Sequence, residues 1–148
     1  MNIKRILVAV DGSNPSFNAS NFAIDLAKRF DAQLVVLHVI DPKYRELEIA
    51  ISPRPGRFKE IEKKVMKDAE KIVDTVRQKA VKMNVNVKSD AIHGFTSIFK
   101  DVVDYARVNG VDVIVIGSRG MTGFKKLLVG SVASGVVTYS DCPVIVVK

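Results

Sequence analysis

Three short runs of branched apolar residues, Ile6 to Val10, Leu34 to Ile40 and Val113 to Ile116, contain no polar alternation. A strand half-covered by a core alternates in polarity, whereas a parallel strand buried on both faces reads as a continuous β-branched run. Such strands need crossover connections, and between the runs the apolar period changes to that of a helix. After Asn14 and Pro15, read as an N-cap followed by a proline in the first turn, come Ala19, Phe22, Ala23, Leu26, Ala27 and Phe30. A longer helix is expected after Pro53, Pro55 and Gly56, with apolar positions every three or four residues from Phe58 to Met83. Another follows Thr96 with Ile98, Val102, Val103 and Ala106, and a last one starts near Ser131.

Val85, Val87 and Ala91 alternate with polar residues, as expected of an edge strand, and Val144 to Val147 form a final strand. The pattern predicts a doubly wound α/β domain over residues 1–148, with a five-stranded parallel sheet in the order 3-2-1-4-5. Asp41 to Gly56 is the one long stretch read as irregular. No apolar run approaches the roughly 20 residues of a membrane span, and the N-terminal apolar stretch stops at Asp11, too soon for a secretory signal. A cytoplasmic location is expected. The single cysteine, Cys142, forms no internal disulfide.

Net charge is +7, yet 13 basic and 7 acidic residues between Lys43 and Lys88 carry most of it, interleaved along one helix. Mixed signs describe a solvated face and argue against a nucleic-acid partner. His38 and His93 have no Cys or His at ligand spacing and are read as structural.

In the order 3-2-1-4-5, winding reverses between strands 1 and 4, and ligands of open α/β sheets bind beyond the carboxyl ends of the strands there. Strand 1 ends in Asp11-Gly12-Ser13; strand 4 runs into a stretch with glycines at 117, 120, 123 and 130, and Ser131 opens a helix. Close backbone approach and a helix N-terminus suit a phosphate, while the same glycines also suit ordinary turns, and Asp11 an ordinary cap. Neither a P-loop nor a G-x-G-x-x-G string is present.

The spaced string G-x2-G-x9-G-[ST], here Gly117, Gly120, Gly130 and Ser131, resembles the nucleotide motif of the ATP-binding branch of the universal stress protein family. Ile6 to Ser13, Leu37 to Ile40, Gly94 and Cys142 to Val147 carry the resemblance along the chain. It implies a Rossmann-like fold of the adenine nucleotide alpha hydrolase type, ATP as ligand, Mg²⁺ or Mn²⁺ held through the phosphates, and a homodimer through strand 5. Carried over, Ala9, Val10 and Asp11 would line the adenosine, with Asp11 near the ribose or the metal, and the backbone of Val39 would meet the adenine edge. Gly117, Ser118, Arg119, Gly120, Met121, Thr122 and Gly123, with Gly130, Ser131 and Val132, would wrap the ribose and phosphates. Phe95 and Thr96 depart from the small or acidic residue and proline that often follow the strand-3 glycine in the family. Three functions remain open: a nucleotide-dependent regulatory module, a slow ATPase or phosphotransferase, and a dimeric scaffold independent of nucleotide.

Overall fold

The computed structural model describes residues 1–51, 54–120 and 129–148. The strands are β1 (Arg5–Ala9), β2 (Gln33–Ile40), β3 (Val87–His93), β4 (Val113–Gly117) and β5 (Val144–Val147); the helices are α1 (Asn14–Phe30), α2 (Pro42–Ile51), α3 (Arg57–Lys82), α4 (Ile98–Val108) and α5 (Ser131–Tyr139). All strand pairs are parallel and the order is β3-β2-β1-β4-β5, as the sequence predicts. Among the described residues no helix is long and apolar enough to cross a membrane.

The doubly apolar runs are explained by two cores. Ile6, Val8 and Val10 with Leu34 and Val36 pack against α1 and α3, while Leu7, Val35, Leu37 and Ile114 pack against α4 and α5. Every residue of β4 is buried, whereas no residue of β3 is buried, five being half-buried and Lys88 and His93 exposed, as befits the strand at the sheet edge. Tyr105 of α4 fastens that edge by donating its hydroxyl to Asp90, and burial followed by this contact pushes the phenol pKa upward.

Two local expectations shift. Helix α1 is capped by Ser13 rather than Asn14: Ser13 Oγ accepts the Ser16 N–H at 3.3 Å, and Asn14 is already in the helix. The stretch read as irregular contains α2, started by Asp41, whose Oδ1 accepts the Lys43 N–H at 2.9 Å, and by Pro42 at the first helical position. No residue of α2 whose side chain is described is buried, so it left no apolar stripe in the sequence.

Gly135, inside α5, is required by a neighbouring helix. A Cβ there would run into the Phe99 ring of α4, which stacks on Tyr139 with centroids 5.5 Å apart. Helix propensity alone favours Gly135→Ala by about 1 kcal/mol, but overpacking costs about 1–3 kcal/mol and sterics should win. The expected result is a lower urea midpoint for Gly135→Ala; a raised midpoint would mean that Phe99 yields freely.

Candidate functional site

A cavity of about 620 Å³ opens at the carboxyl ends of β1, β2 and β4, a size usual for small-molecule sites. The fold brings the glycines that follow β4 to it, beside the end of β1. Strand β4 places Gly117 beside the start of α1, where a Cβ would lie 3.0 Å from the Pro15 carbonyl oxygen. Gly120 comes next to β1's terminal carboxylate, so that a Cβ would lie 2.9 Å from Asp11 Oδ2. Gly130 donates its N–H to the Ser118 carbonyl at 2.6 Å, which folds the chain back and starts α5 at the cavity wall. Ser131 and Val132 then present the first turn of that helix.

Asp11 is held by its neighbours. Its Oδ1 accepts the Ser13 N–H at 2.9 Å and the Ser13 hydroxyl, and Ser13 in turn caps α1, so the carboxylate is fixed by the same residue that begins the helix. The Asp11 N–H donates to Ser16 Oγ at 3.3 Å. Between the sheet and α3, His38 donates Nδ1–H to the Val10 carbonyl at 2.7 Å; a carbonyl only accepts, which assigns that proton to Nδ1. The bond ties β2 to the end of β1 just before Asp11.

Of the residues singled out in the sequence, Ala9, Val10, Asp11, Val39, Gly117, Ser118, Arg119, Gly120, Gly130, Ser131 and Val132 all line this one cavity. Met121, Thr122 and Gly123, with the basic pair Lys125 and Lys126, lie outside the described residues. Sequence reading missed the opposite wall, formed by His38, Tyr44, Asp68 and Ile72. His38 carried a usable signal: it lies two residues beyond Val36 on the strand face that packs toward α3, one position before Val39. Tyr44 and Asp68 carried none, since nothing local marks an exposed helical side chain as a cavity wall.

The Gly94 corner is tight despite its unusual sequence. Gly94 donates to the Ile40 carbonyl at 2.9 Å, and buried Asp101 accepts the Phe95 N–H at 3.0 Å. A Cβ on Gly94 would lie 2.8 Å from both the Ile40 oxygen and Asp101 Oδ2. Phe95 itself points away and is exposed. Among the described residues no group of three or more His, Cys, Asp or Glu side chains would hold a metal ion.

The chain matches the profile of the Universal stress protein family over residues 2–148. It belongs to the universal stress protein family. A relative, universal stress protein YxiE of Bacillus subtilis, is 34% identical over 151 residues, covering 97% of this chain and 98% of that protein. The solved structure of hypothetical protein MJ0577 has a TM-score of 0.85 at 26% identity, covering 100% of this chain and 97% of the other. A family member from Archaeoglobus fulgidus, solved in complex with dAMP, shares the fold with a TM-score of 0.69 at 23% identity and complete coverage of both chains.

Proposed function

We propose that this universal stress protein binds ATP at the β1/β4 cavity and acts as a nucleotide-dependent regulatory module in the stress response. One observation carries the reading: the stretch with Gly117, Gly120 and Gly130, far in sequence from Asp11, meets that carboxylate at one cavity beside the N-terminus of α5. Glycine backbone and a helix N-terminus together make a site for an anion that must come close. The dAMP-bound relative is a precedent for an adenine nucleotide on this fold.

In this reading Val39 offers its backbone to the base, Ala9 and Val10 flank the adenosine, and Gly117 to Gly123 with Gly130 to Val132 surround ribose and phosphates. Asp11 would hold Mg²⁺ or Mn²⁺ through its carboxylate, which lies at the cavity beside Gly120. A lone carboxylate makes a poor metal site without the triphosphate, so metal and ATP should bind together. The metal supplies charge neutralisation of the phosphates. Binding rather than turnover is the proposed role.

The reading includes a homodimer through β5. Among the described residues β5 pairs only with β4, and all four of its residues stay half-buried, with Val137 and Tyr139 exposed on the helix just before it.

Mass spectrometry of protein denatured directly after purification tests the nucleotide reading; recovered ATP supports it. Titration of nucleotide-free protein with ATP and Mg²⁺ gives the affinity, and failure to bind would overturn it. Ser131→Ala should weaken ATP binding about ten- to a hundredfold, because one hydrogen bond to a charged group is worth about 1.5–3 kcal/mol. A change under about twofold would remove Ser131 from the phosphate contacts.

A further inference from the structure

Helix α2 is anomalous in having little to stand on. Asp41 fixes its first turn to the end of β2, but beyond that turn Leu47, Ile49 and Ile51 are 59%, 53% and 69% exposed. Helices shorter than about 12–15 residues are marginal in water unless an apolar face is packed, and α2 has 10 residues. Among its described side chains, Tyr44 alone lines the cavity. Its hydroxyl bonds to Glu48 one turn further on, and it lies near Asp68 of α3. The side chain is still 40% exposed, which leaves surface for something else to cover.

That missing packing partner lies within reach, because Tyr44 shares the cavity with Val39, the residue assigned to the edge of the base. We infer that α2 is a lid completed by its ligand: Tyr44 packs its ring on the purine of a bound nucleotide, and ordering of Pro42–Ile51 follows occupancy of the site. The inference rests on the nucleotide reading and adds to it a contact on the opposite wall. An aromatic ring suits this task because every base presents a π-face, so the contact adds residence time without choosing between adenine and guanine. Lid closure and base contact then become one event, and the nucleotide-bound state differs from the free state in the surface carrying Leu47 and Ile51.

Hydrogen exchange of the full chain, with and without ATP and Mg²⁺, tests the lid alongside dissociation rates of wild type, Tyr44→Phe and Tyr44→Ala. The expected result is at least about tenfold slower exchange of amides 45–51 when ATP is bound. Tyr44→Ala should lose that protection and release ATP roughly tenfold faster, while Tyr44→Phe, which keeps the ring, should retain both. Bound ATP with unchanged α2 exchange, or a Tyr44→Ala variant as protected as wild type, overturns the lid and leaves the nucleotide reading intact. A wild-type chain that binds no ATP overturns both.

Discussion

Gly130→Val should abolish ATP binding, lowering affinity by more than about a hundredfold, in a protein that still folds. The backbone at Gly130, with φ −67° and ψ 164°, suits any residue, so the variant suffers no conformational strain. What changes is space. A Cβ at this position already lies 3.3 Å from the Ser118 carbonyl oxygen, and two further methyl groups must project where the loop turns into α5. They would occupy the approach to the helix N-terminus that a phosphate needs. Calorimetric titration reads the binding loss, and an unfolding curve within about 1 kcal/mol of wild type shows that the fold survives. Wild-type affinity in such a folded variant would remove the glycine loop from the site.

Val146→Pro should convert a wild-type dimer to monomer at micromolar concentration. The Ile114 N–H donates to the Pro143 carbonyl and the Ser118 N–H to the Val147 carbonyl, so the odd-numbered residues of β5 face β4. By alternation Val144 and Val146 turn their backbone groups toward the open edge. Proline at 146 therefore removes an outward donor while sparing the ladder to β4, a position where edge strands tolerate it. Ile145→Lys is a less clean probe, because Ile145 packs on the core beneath α1 and α3. Light scattering decides: a monomeric wild type ends the proposal of a strand-paired dimer, and a Val146→Pro variant that stays dimeric moves the interface elsewhere.

The parts of the fold most legible in the sequence are those where burial leaves a pattern. Runs such as Leu34 to Ile40 are buried on both faces and could hardly be anything but inner strands, and the alternation around Val87 and Ala91 marks an edge. Helix α3 shows its inner stripe through Ala69, Val73, Val76 and Ala80 against a charged outer face. Helix α2 escaped because pattern reading detects burial and α2 has almost none, although Asp41-Pro42 was an available start signal. At the site, the near wall was legible from glycine spacing and from strand ends. The far wall was not: Tyr44 and Asp68 reach the cavity from two different helices, and their meeting is a product of tertiary packing. Gly135 shows the same limit, since its unusual place in a helix announces a close neighbour without saying that the neighbour is Phe99.

The hydrogen bond from His38 to Val10 spans 28 positions of sequence, and those among Asp11, Ser13 and Ser16 span five or fewer. The other half of the cavity arrives from much farther away: the bond from the Lys4 N–H to Asp112, beside the β1–β4 pairing, closes a separation of 108. Chain entropy makes such distant closures the costly and slow part of folding a parallel sheet. During synthesis the residues of the carboxylate and of the β2 wall emerge well before β4 and its glycines. A ligand bridging the two halves would bind only the finished sheet and would strengthen its most non-local pairing, so that under the proposed function nucleotide supply would raise the fraction of chains held in the completed state.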